Sequence, residues 1–306
     1  MPELPDIELY LHALRPRIVG QRLQRIRLAS PFLVRSVAPP LSVVDGKLVT
    51  GLRRLGKRVV WEIEDDLFLV IHLMIAGRFR WKKTGAKMPG KLGLAAFDFS
   101  TGTVLLTEAG SRRRASMHLV RGEHGLRDLD PGGLEVQGST VAEFSSMLTR
   151  ENHTLKRSLT DPHFFSGIGN AYSDEILHAA KLSPMQLTSR LTPEQLASLH
   201  AHVVGVLTKW RDALIAETGD RFPEKVTAFR EEMAAHGRYG KPCATCGTPI
   251  QRIKYASNEA NYCPACQTGG KLLADRGLSR LLKGDWPKTV EELYRRSGDQ
   301  KKVFNG

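Results

Sequence analysis

The sequence predicts a multidomain α+β protein: an N-terminal β-sandwich headed by a helix, followed by a helical domain that carries a four-cysteine β-hairpin. Three observations predict it. Short alternating segments broken by turn residues fill residues 22–107. Beyond a polar stretch containing Pro131-Gly132-Gly133, the apolar period changes from two to 3.6. All four cysteines then fall between positions 243 and 266.

The first eight residues, Met1-Pro2-Glu3-Leu4-Pro5-Asp6-Ile7-Glu8, crowd three acids and two prolines into the terminus. Early prolines and first-turn acids suit a helix over about 7–15. A chemical reading stands beside the structural one. Loss of Met1 exposes Pro2 as a secondary amine. An α-amino group titrates near ~8, so part of it is unprotonated and nucleophilic at neutral pH. Such an amine attacks a carbonyl or the anomeric carbon of a sugar and forms an iminium. Glu3 beside it can move a proton.

The strands follow in order. Residues 22–28 alternate around Leu23, Ile26 and Leu28, and 32–37 follow Pro31. Residues 43–52 read as two short strands about a turn at Asp45-Gly46. The basic run Arg53-Arg54-Leu55-Gly56-Lys57-Arg58 precedes a strong strand at 59–64 and another from 67 to 73. Thr101-Gly102 turns the chain into 104–107. In the second half, helices are expected at 140–150, with Val141, Phe144 and Met147 inward, and at 155–159, 170–180 and 193–218. Two short helices are expected in the tail, at 272–283 and 289–296.

The chain has 306 residues and a formal net charge of +13. So basic a chain calls for a polyanionic partner, nucleic acid first and an anionic membrane surface second. No run reaches 18 apolar residues, and the N-terminus lacks a basic-then-apolar signal pattern. These features read as a cytoplasmic protein without a membrane span.

Cys243, Cys246, Cys263 and Cys266 form C-x2-C, sixteen residues, then C-x2-C. In a cytosolic chain this is the spacing of a tetrahedral zinc site, and two disulfides would need an oxidising compartment. With four thiolates on the metal, no position is left for a catalytic water, so the zinc is structural. Residues 251–255 and 258–262 alternate about a short turn, giving a hairpin on which Arg252 and Lys254 supply charge.

Gly167-Ile168-Gly169-Asn170 precedes a helix. Glycines there admit close approach of an anion to free helical N–H groups, and Asn170 suits the N-cap. A tight helix–helix turn explains the same residues. Lys57 suits a phosphate contact or a solvated strand edge. Arg112, Arg113 and Arg114 suit phosphate contact, insertion into a duplex, or simple solubility.

Together these motifs resemble the formamidopyrimidine-DNA glycosylase / endonuclease VIII (Fpg/Nei) family. The matching residues are Pro2-Glu3-Leu4-Pro5, Lys57, Gly167-Ile168-Gly169-Asn170-Ala171-Tyr172, and Tyr239-Gly240 through Cys243 to Cys266-Gln267. They stand in family order over roughly residues 2–268. The resemblance implies a catalytic β-sandwich domain over 2–130, a linker at 131–139, a helix–two-turn–helix (H2TH) domain over 140–236 and a zinc-finger β-hairpin over 237–270. A basic extension, 271–306, completes the chain. It implies one structural Zn2+ and, as partner, double-stranded DNA with a damaged base or abasic site, bound by a monomer. It also implies base excision on a flipped nucleotide. Pro2 would attack C1′, Glu3 would serve as acid and base, and β- then δ-elimination would cut the strand. Lys57 and Asn170, with Gly167 and Gly169, would hold the flanking phosphates.

Departures from the family pattern bear on specificity. Asp6 replaces a usual Glu. Counting back from Cys263, Asn258 stands where the finger hairpin usually carries an Arg, and Arg252 or Lys254 would have to compensate. Ile75 stands where a duplex-filling Met is common, and Arg114, beside Arg113, stands near an aromatic wedge position. Two rivals remain at this point: a damaged-DNA binder without turnover, and a zinc-ribbon regulator of transcription. The second leaves the N-terminal motif unexplained.

Overall fold

The computed structural model describes residues 1–110, 112–227, 229–255, 258–274, 280–281 and 287–297. The chain divides into two compact units. The first is Met1–Gly133 with Leu207–Ala228, and the second is Leu134–Val206 with Phe229–Gly306.

The first unit opens with helix α1 (Leu4–Ile18), longer at both ends than its sequence pattern predicts. Nine strands follow: β1 (Arg22–Leu23), β2 (Arg25–Leu28), β3 (Lys47–Leu55), β4 (Arg58–Ile63), β5 (Leu67–His72), β6 (Gly77–Lys82), β7 (Gly93–Phe99), β8 (Gly102–Glu108) and β9 (Ser116–Arg121). They form two antiparallel sheets, β1-β3-β4-β5-β9 and β2-β7-β8-β6. The sandwich predicted from alternation is therefore present. Between the sheets the fully buried Trp61 of β4 packs on Phe97 and Phe99 of β7, with ring centroids 4.8 and 5.9 Å apart. Helix α1 closes one flank, where Tyr10 meets Phe79 edge-on at 5.3 Å.

Two expected strands are corrected. Residues 32–37 are no strand: Pro31–Leu33 form a 3-10 turn, and Phe32 is 80% exposed. Pro31 fixes φ and supplies no N–H, which suits the first turn of a helix better than a ladder. At 43–52 the first half is a 3-10 turn, Leu41–Val44, and β3 begins only beyond Gly46. Helix α2 (Gly122–Arg127) follows β9.

The second unit contains α3 (Val141–Thr149), α4 (Leu155–Thr160) and α5 (Asn170–Ala179). The long helix α6 (Pro193–Thr218) begins in this unit and ends in the first. Thr140 and Glu143 form a capping box at α3. Phe144 and Leu148 point inward from α3, whereas Val141 is 41% exposed. The inward stripe thus lies one position away from the expected Met147. The hairpin consists of β10 (Gln251–Lys254) and β11 (Glu259–Tyr262), in register from Gln251↔Tyr262 to Lys254↔Glu259. Helix α7 (Pro264–Thr268) carries the last cysteine. In the extension, Leu273 N–H donates to the Tyr262 hydroxyl at 2.8 Å, and a helix spans Val290–Ser297. Most of the helix expected at 272–283 lies outside the described residues.

Candidate active site and nucleic-acid interface

In the first unit the site grows from the start of α1. Pro2 and Glu3 are buried, and Asp6 is fully so. The Glu3 N–H donates to Asp6 Oδ2 at 2.9 Å, and the pair forms a capping box. Asp6 thus supplies the N3 carboxylate of this box. Burial holds the Met1 amine below its ordinary value of 8.0. The Glu3 charge opposes this shift, Arg78 adds to it, Asp6 opposes it and Lys57 adds again. The Met1 amine therefore sits in the combined field of Glu3, Asp6, Arg78 and Lys57.

Beside it, the turn after β5 presents Ile75. The Met74 N–H donates to His72 Nδ1 at 2.9 Å and holds Met74 at a φ of 52°. Gly77 is required here: its N–H donates to Leu73 O at 2.9 Å, and a Cβ would come within 2.2 Å of that oxygen. The Arg78 guanidinium donates to the carbonyls of Ile75 and Gly77 at 3.1 and 2.7 Å. These bonds leave Ile75 56% exposed. The neighbouring arginine loop is gathered by buried Glu108, whose carboxylate accepts the N–H groups of Arg114 and Ala115 at 3.0–3.1 Å. Arg113 and Arg114 are exposed, and the Arg113 guanidinium reaches Lys91 O.

His72 titrates low. Burial pushes it from 6.5 to about 4, and the Arg58, Lys57 and His118 charges push the same way. Between these values the unfolded chain binds a proton that the folded chain refuses, so stability is lost as pH falls from 6.5 toward 4. The expected loss from this group is on the order of 3 kcal/mol. Denaturant midpoints measured across that window should fall less steeply in His72→Gln than in the wild type.

In the second unit Gly167 adopts a φ of 79° and Gly169 is the N-cap of α5. Both glycines are buried. Asn170 is thus the first helical residue and not the cap expected from its type. Its side chain turns to the hairpin, where Nδ2 donates to Glu259 O at 2.8 Å. Beneath this turn lies a buried polar cluster that the sequence reading missed. Asp174 accepts from Lys156 Nζ at 2.5 Å and Asn261 Nδ2 at 3.3 Å, and lies 2.8 Å from His236 Nδ1. Lys156 Nζ also donates to the Asn170 carbonyl at 2.6 Å. Neighbouring Glu175 accepts the N–H groups of Ala234, Ala235 and His236 at 2.8–2.9 Å.

At the hairpin end, the Asn258 carbonyl accepts the Tyr255 N–H at 2.8 Å, and Asn258 is exposed. Arg252 is held locally. It pairs with Glu259 at 3.3 Å, and its guanidinium carbon lies 4.1 Å from the Tyr239 ring centroid.

The ligand atoms of Cys243, Cys246, Cys263 and Cys266 all lie within 4.8 Å of one another, and none is in a disulfide. Thiolates at about 2.3 Å around a tetrahedral zinc stand roughly 3.8 Å apart, so the donor set fits. The site is a closed structural zinc centre for one Zn2+.

A β-sandwich, an H2TH turn and a zinc hairpin define the class of zinc-finger DNA glycosylases. The formamidopyrimidine-DNA glycosylase N-terminal domain matches residues 1–117, the H2TH domain of the same family 133–216, and the zinc finger found in FPG and IleRS 240–269. The chain belongs to the Fpg/Nei family. It is 30% identical over 280 residues to formamidopyrimidine-DNA glycosylase of Ligilactobacillus salivarius, covering 87% of this chain and 99% of that one. It is 40% identical over 157 residues to an uncharacterized formamidopyrimidine-DNA glycosylase-like protein of Mycobacterium tuberculosis, covering 51% of this chain and 96% of that one. Among solved structures, the Lactococcus lactis enzyme complexed with THF-DNA and an inhibitor superposes with a TM-score of 0.76. That match is 27% identical and covers 87% of this chain and all of the other. No helix among the described residues is long and apolar enough to cross a membrane.

Proposed function

We propose that this protein is a DNA base-excision repair glycosylase that removes damaged, oxidised bases and then cleaves the strand as an AP lyase. The setting of Pro2 carries the reading: it is buried directly beside Glu3, and the Met1 amine that precedes it feels the charges of Glu3, Arg78, Asp6 and Lys57. With Met1 removed, the Pro2 amine attacks C1′ of the flipped nucleotide. The C1′–N bond breaks, the base leaves with a proton, and the sugar ring opens to an iminium on Pro2. Glu3 is the acid that delivers and the base that recovers protons around the ring. Loss of a C2′ proton then expels the 3′ phosphate, and a second elimination expels the 5′ phosphate. No metal is needed for these steps. The relatives bearing glycosylase names, and solved neighbours bound to abasic-site DNA, support the reading. So does the net charge of +13. Lys57, Asn170, Gly167, Gly169, Arg113, Arg114 and Ile75 are proposed DNA contacts, with Arg252 and Asn258 on the hairpin.

Asn258 favours a second reading, a damaged-DNA binder without turnover, because an amide there lacks the bidentate charged grip of an arginine. Borohydride trapping separates the two. With duplexes carrying an abasic site, 8-oxoguanine or an oxidised pyrimidine, the enzyme gives a covalent complex whose modified peptide contains Pro2. Absence of any complex on the abasic duplex, with Met1 shown to be gone by mass spectrometry, selects the binder. Asn258→Arg is expected to tighten lesion-duplex binding and to steepen the log-affinity against log-salt slope by roughly 0.9. An unchanged slope would place residue 258 away from the phosphates.

A further inference from the structure

One face of α5 carries Asn170, Asp174 and His178 at intervals of four residues, so the three side chains stand in a row. Each rung meets the zinc hairpin or its flank. Asn170 Nδ2 donates to Glu259 O at 2.8 Å. Asp174 Oδ2 accepts from Asn261 Nδ2 at 3.3 Å. His178 Nε2 lies 3.2 Å from Cys243 Sγ. His178 and Cys243 are 7% and 3% exposed, so this last contact is nearly closed to water.

We infer that His178 is a positioning residue for the zinc centre, its Nε2–H donating a hydrogen bond to the Cys243 thiolate. Four thiolates on Zn2+ leave a net charge of about −2 on the centre. Much of that charge is buried among Cys243, Ile250 and Cys263. An N–H aimed at one sulfur spreads this charge and fixes the rotamer of that ligand. Cys263 gains a comparable donor from the backbone, the Cys266 N–H at 3.5 Å. At Cys243 the donor comes from a helix 65 residues earlier in the chain. Zinc binding is thereby tied to α5, whose first residue, Asn170, grips the same hairpin. Packing alone would not ask for an imidazole here, because a phenyl ring fills a similar space without the donor.

The test uses the zinc-loaded full chain and the variants His178→Phe and His178→Gln, with transfer of zinc to a chromogenic chelator as readout. His178→Phe is expected to release zinc about 10–100-fold faster. Gln keeps an N–H at similar reach and is expected to retain most of the wild-type hold. Wild-type release from His178→Phe would overturn the inference. Equal acceleration by Gln and Phe would overturn it too, since that pattern reports packing. Should the Phe variant fail to fold, 113Cd-substituted wild type decides by NMR. The expected result is a His178 ring protonated on Nε2 and coupled through Cys243 sulfur to the metal. A bare Nε2 overturns the inference.

Discussion

Glu3→Gln is expected to slow base release by about 10²–10⁴-fold, the usual contribution of a positioned acid–base group. The substitution isolates the proton from the scaffold. Gln keeps a side-chain oxygen that can accept the Asp6 N–H, so the capping box at α1 can persist. The folding cost should therefore stay below the ~1 kcal/mol of a lost cap. Asp6→Ala is the mirror experiment. It deletes the acceptor of the Glu3 N–H, now bonded at 2.9 Å, and leaves the Glu3 carboxyl in place. It is expected to cost about 1 kcal/mol or somewhat more of stability. Single-turnover base release and denaturant midpoints, measured on both variants, separate the two roles. Wild-type release by Glu3→Gln would mean that the proton comes from another group.

Asp174→Ala is expected to cost about 3–5 kcal/mol of stability, because it strands a buried cation. The Asp174 side chain is wholly buried, and that of Lys156 is 8% exposed. Without the carboxylate, Lys156 Nζ keeps only the Asn170 carbonyl among its described partners, and His236 and Asn261 lose theirs. Asp174→Ala with Lys156→Met should recover much of the loss, because the unpaired charge leaves with its partner. Urea unfolding of the single and double variants measures this. If the double variant is as unstable as Asp174→Ala alone, the cost lies in the His236 and Asn261 contacts instead.

Much of this architecture can be read from residue types. The period-two segments gave the sandwich, and cysteine spacing gave the zinc centre, because ligand geometry and strand alternation are local constraints. The 3-10 turn at Pro31–Leu33 was missed because a proline followed by apolar residues satisfies either a turn or an edge strand. Asn170 was assigned one position late as a cap because residue type cannot say which way an amide turns. It turned toward Glu259, 89 residues away. Asp174, His236 and Asn261 each look like ordinary surface residues in the sequence. Only tertiary packing buries them together, although the four-residue spacing of Asn170, Asp174 and His178 was a usable sign that one face of α5 is polar inside. Leu214 and Val226 are buried in the sandwich's own core, so 207–228 belongs with the first unit.

That returning segment bears on how the protein is made. Tyr10 of α1 lies 6.2 Å from Phe222 between ring centroids, and the Arg17 guanidinium donates to Asp220 O at 2.5 Å. A ribosome delivers residues 1–133 long before these partners exist. N-terminal domains ordinarily fold first during synthesis. Here part of the α1 flank stays uncovered until the chain has been translated past Val226. A nascent chain stalled at residue 133 would show a protease-sensitive α1, and one stalled far enough beyond 228 to clear the exit tunnel would not.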